Sequence, residues 1–308
     1  MKIYTYEPKT VLSGERSIAL GFFDGVHIGH RRLIKNAIDE AKRLNITSSV
    51  FTFYAEASMP KSSPDRLYST EEKLDIFESL GVDEVILADF GSLKDTPPTD
   101  FINKILISDL GCRTAVCGKD FRFGKGASGT ADMLAEAMKR AQRGAIIEDD
   151  VNLYEAKVST TTIKELLSAG GIEKANEMLG SPYFLRSEVV RGRGVGHTLG
   201  YPTVNTSLTG KESLLRHGVY YSIINIGNKS YPALTNIGSC PTFEERAAHA
   251  ETFIIDFDGE VYGDTVRISL LSFLRSEKKF ESPEALTAQI KLDIEKVKKE
   301  FDYGRKLD

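Results

Sequence analysis

SIALGFFDGVHIGHRRLIKNAIDEAKRL, residues 17–44, sets an apolar run, a glycine-rich turn and an amphipathic stretch in immediate succession. Ser17–Phe23 has the length and apolar character of a buried strand. The spacing of Leu33, Ile34, Ala37, Ile38 and Ala41 puts them on one face of a helix over His30–Leu44. The same alternation continues downstream. Ser48–Phe53 reads as a second strand. Ser69 and Glu72 form a capping box that opens a helix running to Leu80. Val85–Ala88 and Thr114–Cys117 are further strands, each followed by a helical stretch. A βαβα rhythm over residues 17–150 predicts a parallel sheet covered by helices, with ligands held outside the carboxyl ends of its strands.

After about Gly180 the texture changes. Glu188–Val190, Tyr220–Ile226, Thr252–Phe257 and Val266–Leu271 alternate with glycine-rich turns, the pattern of a small antiparallel β-barrel. A terminal helix closes the chain: Ser282 is its N-cap, Pro283 its first residue, and Leu286, Ile290, Ile294, Val297 and Phe301 its apolar stripe. The linker falls near Gly170–Ser181, so the expected domains are residues 1–180 and 181–308.

Composition narrows the function classes. The 308 residues are 41% hydrophobic and 27% charged, enough for two domains with cores of their own. A net charge of −4 with no basic block gives no whole-chain attraction for nucleic acid. The N-terminal MKIYTYEPKTVLSGERS lacks the apolar core of a signal peptide, and no apolar run reaches the ~20 residues of a membrane-spanning helix. The expectation is a cytoplasmic protein with no membrane partner. Cys112, Cys117 and Cys240 have no metal-type spacing and read as reduced thiols. A monomer and a homo-oligomer both remain open.

Two constellations carry chemistry. In Gly21–His30 (GFFDGVHIGH) the chain passes from strand to helix, where backbone N–H groups and a helix dipole meet an anion. The glycines, Gly21 among them, let phosphate approach the main chain, and Phe23-Asp24-Gly25 makes the turn. His27 and His30, three apart, can donate to phosphate oxygens and to charge developing in a phosphoryl transition state. A zinc pair would need a third ligand that is not evident nearby. The match to G-x-G-x-x-G at Gly124–Gly129 stands apart from its strand, deep inside the domain, and reads as a loop beside the nucleotide cleft.

The second constellation is Gly192-Arg193-Gly194-Val195-Gly196-His197-Thr198-Leu199-Gly200-Tyr201-Pro202-Thr203-Val204-Asn205, in a chain that has no G-x-x-x-x-G-K-[ST]. Its glycines (Gly192, Gly194, Gly196, Gly200) could wrap phosphates with backbone N–H groups. Pro202 ends the loop. Thr203 and Asn205 share a side if the chain is extended, and their oxygens are hard ligands suited to Mg2+. On composition alone, a plain glycine-rich hairpin loop is an equal reading.

Both stretches resemble known ones. G-F-F-D-G-V-H-I-G-H is similar to the H-x-G-H signature of nucleotidyltransferases, in the form found in bacterial bifunctional riboflavin kinase/FMN adenylyltransferases, the FAD synthetases. Gly118–Gly124 (GKDFRFG) and Val158–Lys164 (VSTTTIK) resemble that family's nucleotide and phosphate segments. Gly180–Tyr183, G-Y-P-T-V-N, Gly218–Tyr220, Asn236–Gly238, Pro241–Phe243, Glu251–Phe257, Leu274-Arg275 and Gln289-Ile290 recur in order in its riboflavin kinase domain.

The resemblance implies a front-half ATP site of Gly21, Phe23, Asp24, His27, His30, Asp120, Ser159, Thr160 and Lys164. It implies a kinase site in which Thr203 and Asn205 hold Mg2+ and ATP phosphate, Arg275 contacts ATP or flavin, and Glu251 is the base. The implied reactions take riboflavin and ATP to FMN, then FMN and ATP to FAD. Several positions depart from the pattern. Thr52–Ala57 lacks both prolines and the histidine of T-F-x-P-H-P, Thr162 and Lys164 replace arginines, and Cys240 stands where an arginine is usual. Lysine keeps the charge but loses the bidentate fork. The expectation is adenylyl transfer slower than in relatives, with Lys119 and Lys125 as candidate sources of compensating charge. Two other readings compete: a kinase with a weak or inactive nucleotide-binding front half, and a flavin-responsive binder without turnover. The latter has no use for the implied base Glu251.

Overall fold

The computed structural model describes residues 1–8, 10–54, 66–190, 201–208, 211, 213–227, 229–239 and 248–304. It divides into two compact units, Met1–Thr162 and Ile163–Asp308.

In the first unit, β1 (Lys2–Tyr6), β2 (Arg16–Leu20), β3 (Thr47–Phe53), β4 (Glu84–Ala88), β5 (Cys112–Gly118) and β8 (Gly144–Glu148) form one sheet in the order β1-β4-β3-β2-β5-β8. Every neighbouring pair is parallel. β2 and β4 are buried along their whole lengths, which is why they read as unbroken apolar runs rather than alternating ones. α1 (Ile28–Leu44) packs on β2, β3 and β5. On the opposite face, Ile18, Leu20, Phe51 and Cys117 share a core with the π-helical segment Phe101–Asp109 and the helix Ala131–Arg140. Leu33, Ile34, Ala37, Ile38 and Ala41 are the buried face of α1, as their spacing predicts. α2 (Thr70–Ser79) opens on the Ser69/Glu72 capping box.

The strand expected over Ser17–Phe23 ends at Leu20. Beyond it Phe23 and Val26 take φ of 55° and 40°, which no strand accommodates, and the chain turns out of the sheet. Burial holds both residues in this strained loop, since neither is more than 1% exposed.

In the second unit, β11 (Tyr183–Val190), β12 (Thr203–Ser207), β13 (Gly218–Ile226), β14 (Lys229–Ser239), β15 (Ala248–Ile254) and β16 (Thr265–Arg275) close a barrel in the order β11-β12-β15-β14-β13-β16. All of its pairings are antiparallel. A chain of buried hydroxyls crosses it, Ser222 to Thr235 at 2.7 Å and Thr235 to Thr252 at 2.9 Å. The expected strand Thr252–Phe257 begins earlier and stops at Ile254; Asp256, at φ 54°, ends the extended run.

The terminal helix Pro283–Gly304 is capped by Ser282, whose Oγ accepts from the Ala285 N–H at 3.2 Å. Ile294, Val297 and Phe301 pack with Val219, Tyr221 and Leu234 of the barrel wall.

The helix Ile172–Leu179 precedes the barrel and packs on β11 and β16. Asn176 locks it there. Its Oδ1 accepts from the Tyr183 N–H at 2.7 Å and its Nδ2 donates to the Leu270 carbonyl at 2.9 Å. Side chain–backbone bonds of this kind are worth ~1 kcal/mol each, and Ile172, Met178 and Leu179 add buried apolar surface. A fragment of residues 163–308 is therefore expected to be more stable than one of residues 182–308 by several kcal/mol. Urea unfolding of the two fragments checks this, and equal midpoints would contradict it.

Candidate active sites

In the parallel sheet, the chain leaves β2 towards β3 on one side and leaves β5 towards β8 on the other. The onward connections of these two neighbours diverge, and a crevice opens at their carboxyl ends. A cavity of about 540 Å³ occupies this place. Gly21, His27 and His30 line it from β2 and α1, Gly118 and Asp120 from β5, and Ser159 and Thr160 from the start of the helix Thr160–Ala169.

His27 is the N-cap of α1, and its Nδ1 accepts from the His30 N–H at 3.4 Å. A neutral imidazole that accepts at Nδ1 carries its proton on Nε2, so the ring keeps a donor for a ligand. The His27 and His30 rings stack at 3.6 Å and 18°. Nearly parallel rings cannot converge two in-plane lone pairs on one metal ion, which removes the zinc-pair reading. Phe23 meets His30 edge-on at 5.2 Å, and His30 Nδ1 is buried with no partner among the described residues. Gly29 leaves room for this stack, because a Cβ there would lie 3.2 Å from His27.

Asp24 does not line the cavity. It is buried and braces the loop by accepting from the Leu67 N–H at 2.9 Å. Ser159 Oγ accepts from the Thr162 N–H at 3.2 Å, and Thr160 Oγ1 donates to the Asp24 carbonyl at 3.0 Å. A capped helix start thereby stands at the cavity wall, with Thr162 filling the Ser159 hydrogen bonds rather than offering charge.

The lining lysine is one that the sequence reading passed over. Lys157, on the hairpin of β9 (Asn152–Leu153) and β10 (Ala156–Lys157), lies 3.0 Å from Asp120 and 2.9 Å from Asp150. Lys164 is outside the lining, as is Lys125, while Lys119 pairs with Asp149 at 3.4 Å.

Burial, and after it the Lys157 charge, lower the His27 pKa from 6.5 to about 4. His30 is also driven well below 6.5, chiefly by burial. Between pH 6.5 and about 4 the unfolded chain therefore binds the His27 proton and the folded chain does not. This contribution to stability is complete above pH 6.5 and is lost as pH falls towards 4. The urea midpoint is expected to drop across that window more steeply in the wild-type chain than in His27→Gln; equal slopes would contradict the burial of a neutral ring.

A second cavity of about 480 Å³ shares Gly21, Phe53, Phe90, Phe121 and Arg122 with the first. Its walls are aromatic: Phe121 and Phe123 stack at 5.5 Å, and Phe53 meets Phe90 edge-on at 5.3 Å. Gly124 and Gly126, from the stretch that mimics a dinucleotide fingerprint, line this cavity. Gly129 packs against Phe123, where a Cβ would come within 2.6 Å of the ring. These glycines shape an aromatic slot. The one trace of this slot in the sequence is aromatic residues two apart, Phe51 with Phe53 on β3 and Phe121 with Phe123 at the short strand Arg122–Phe123.

The barrel presents a different site on its outer wall. Register places Asn205 opposite Glu251, Glu251 opposite Asn236, Asn236 opposite Val219, and Val219 opposite Arg275. Directly opposed residues share a face, so one row of five strands carries these side chains together. Two residues along, Thr203, Phe253 and Leu234 lie on the same face. Opposite them stand Phe280 and, on the terminal helix, Leu286, Ile290 and Asp293, enclosing about 340 Å³.

The slot has apolar walls, with Thr203, Glu251 and Asn236 on three neighbouring strands at one side and Arg275, Glu277, Lys278 and Asp293 also lining it. Asn236 stands in one of the kinase-like motifs of the sequence, with no role assigned to it there; its place beside Glu251 comes from strand register. Thr203 and Asn205 offer oxygen ligands beside Glu251, a donor set that fits Mg2+ held mainly by phosphate and water. Among the described residues no group of three or more His, Cys, Asp or Glu side chains forms a metal cage. Gly192, Gly194, Gly196, Gly200, Cys240 and residues 55–57 lie outside the described residues, and Pro202 is exposed at the edge of β12.

Comparison with known proteins agrees with this division. A family model described as FAD synthetase matches residues 10–162, and one described as riboflavin kinase matches residues 179–301. The bifunctional riboflavin kinase/FMN adenylyltransferase of Bacillus subtilis is 31% identical over 99% of this chain and 99% of its own length. That of Haemophilus influenzae is 31% identical over 93% of this chain and 94% of its own. Among solved structures, that of a macrolide-efflux protein from Streptococcus pneumoniae has a TM-score of 0.85 at 28% identity, covering 97% of this chain and 99% of that one. Among the described residues here, no helix is long and apolar enough to cross a membrane. From end to end, in both of its units, the chain belongs to the bifunctional riboflavin kinase/FMN adenylyltransferase family.

Proposed function

We propose that this chain makes FMN and then FAD, phosphorylating riboflavin with ATP in the barrel and transferring an adenylyl group from ATP to FMN in the parallel-sheet domain. The observation that carries the proposal is the presence of two separate sites, each complete enough for its own step. The matches to two family models, one over each site, favour two activities over a kinase with an idle front half. The functional domains are taken as residues 1–180 and 181–308.

In the kinase site the slot between Phe253, Leu234 and the terminal helix would take the flavin ring, with its ribityl 5′-hydroxyl at Glu251. That carboxylate accepts the hydroxyl proton as the oxygen attacks the γ-phosphate of ATP, and ADP leaves. Thr203 and Asn205 would hold Mg2+, which when bound neutralises phosphate charge. Asn236, beside Glu251, can orient the hydroxyl or the carboxylate.

In the front domain the aromatic slot would take the FMN ring, with the triphosphate of ATP over Gly21 and the α1 N-terminus. The FMN phosphate oxygen attacks the α-phosphate, the new P–O bond forms, and pyrophosphate departs. His27 Nε2–H and Lys157 donate to the phosphate oxygens as charge builds. Asp120 and Asp150 hold Lys157 in place, which gives this site a cation despite Thr162 and Lys164. We place the enzyme in the cytoplasm, where ATP is supplied, with small molecules rather than nucleic acid or membrane as partners; whether it works as a homo-oligomer does not affect either step.

ATP labelled at the γ-phosphate should pass label to FMN, and ATP labelled at the α-phosphate should pass it to FAD with release of pyrophosphate. Label in FMN alone would reduce the front domain to a nucleotide-binding unit.

A further inference from the structure

Lys73, on α2, is only 1% exposed although its side chain ends in an amino group. Its Nζ donates to the Phe53 carbonyl at 2.9 Å and to the Phe22 carbonyl at 3.3 Å. Phe53 ends β3, and Phe22 stands two residues beyond β2. One buried lysine thus fastens the carboxyl ends of two neighbouring strands. Thr52 Oγ1, also buried, donates to the same Phe22 carbonyl at 2.9 Å. Neither Thr52 nor Lys73 lines the nucleotide cavity, whereas Phe22 and Phe23 both do.

Two donors on one carbonyl fix a whole peptide unit. The Phe22–Phe23 peptide is trans, so its N–H points away from its C=O. The carbonyl is turned towards Thr52 and Lys73, behind the cavity wall, and the Phe23 N–H faces the opposite way. That N–H makes no hydrogen bond among the described residues, although Phe23 is 1% exposed. Backbone N–H groups of buried residues are nearly always paired, so an open one at a cavity wall calls for a ligand that accepts. A second effect reinforces the first. Hydrogen-bonded dipoles in series polarise one another, so a lysine at the carbonyl makes the N–H of the same peptide a stronger donor. The Lys73 charge is felt at this wall: after burial and His27, it lowers the His30 pKa.

We propose that Lys73 is a positioning residue of adenylyl transfer, which with Thr52 turns the Phe22–Phe23 peptide so that the Phe23 N–H donates to a phosphate oxygen of ATP. This rests on the adenylyl-transfer reading of the front unit. Phe23 sits at φ 55°, a conformation that a bulky residue keeps only when its surroundings enforce it, and the two donors do so. A plain structural brace between α2 and the sheet is the competing account. It predicts lost stability, whereas positioning predicts a lost donor.

The sequence allows this one amide to be watched by itself. Phe22-Phe23 is the sole Phe-Phe pair in the chain. Isotopic labelling of phenylalanine at its carbonyl carbon and its amide nitrogen therefore leaves a single signal in a carbonyl-filtered amide spectrum, that of Phe23. On the full-length chain, the ATP analogue with a methylene group between its α- and β-phosphates should move the Phe23 proton signal downfield. In Lys73→Met most of that shift should be lost. The same variant, and Thr52→Val, are expected to lower kcat for FAD formation from supplied FMN ~10-fold or more, since a small misplacement can cost up to ~10²-fold. Thr52→Ser should recover most of the rate lost in Thr52→Val, because it restores the hydroxyl, although it gives up a buried methyl. FMN formation, which belongs to the other unit, and the urea midpoint are followed on the same samples, and FMN formation should hold.

A Phe23 signal unmoved by an analogue that the chain binds would overturn the proposal. So would a Lys73→Met chain with a lowered urea midpoint and an undiminished kcat, which is the behaviour of a brace. Should Lys73→Met fail to fold, the Thr52 pair decides the same question, since equal rates in the Val and Ser variants would refute any role for the Phe22 carbonyl. A wild-type chain that formed no FAD would remove the adenylyl-transfer reading itself, and this role with it.

Discussion

Glu251→Gln is expected to lower FMN formation ~10²–10⁴-fold, the usual contribution of a placed general base. The amide keeps the size of the side chain and cannot take the proton of the ribityl hydroxyl. Glu251 is exposed at the end of the slot, opposite Asn205 on one side and Asn236 on the other, and packs in no core. The substitution should leave the barrel stable and riboflavin binding intact, because the apolar walls from Phe253 and Leu234 are unchanged. Flavin fluorescence quenching by the variant, with turnover measured on the same sample, separates binding from chemistry. Full turnover in Glu251→Gln would mean that the proton leaves by another route.

His27→Ala is expected to lower FAD formation from supplied FMN ~10²–10³-fold, the loss typical of one preorganised donor to a developing phosphate charge. FMN formation in the barrel should be untouched. The histidine does two things at once, since it caps α1 through Nδ1 and its ring lines the cavity. Loss of the cap costs ~1 kcal/mol of stability, too little to unfold a sheet buried on both faces. His27→Asn separates the two roles: asparagine is a good N-cap, but its amide is too short to reach the phosphates. The Asn variant should recover the stability lost in the Ala variant and remain slow. Recovery of activity along with stability would show that His27 matters only as a cap.

Much of the fold was legible because local signals and packing agree. The apolar stripe of α1, the Ser69/Glu72 box and the Ser282-Pro283 start all stand where the sequence placed them. The boundaries slipped where a loop departs from ordinary backbone, at Phe23 and Asp256, because a positive φ at a non-glycine residue leaves no mark in composition. A helical stretch is legible after Val85–Ala88, but the π form of Phe101–Asp109 is not, because its period is neither of the two that pattern reading tests.

The same limit explains the missing members of the sites. Lys157 reaches the nucleotide cavity on a hairpin turned by Tyr154 and Glu155, at φ of 53° and 60°. Such a turn is normally announced by Asn-Gly or Asp-Gly, and here it is not. Asn236 and Asp293 join the kinase slot only through strand register and helix packing, which bring residues distant in sequence onto one face. His27 and His30 are legible from the strand-to-helix turn itself, whereas Glu251 takes its role only from the resemblance. The aromatic slot was found only in three dimensions, since its phenylalanines come from several elements and each alone reads as core.

The most direct measurement is a time course of the single purified chain with riboflavin, ATP and Mg2+, the flavins resolved chromatographically. FMN should appear first and FAD after it, formed from that FMN. Glu251→Gln should abolish both products from riboflavin yet still make FAD from supplied FMN, and His27→Ala should stop the sequence at FMN. Flavin left as riboflavin, or an Glu251→Gln chain that cannot adenylylate supplied FMN, would contradict two independent sites on one chain.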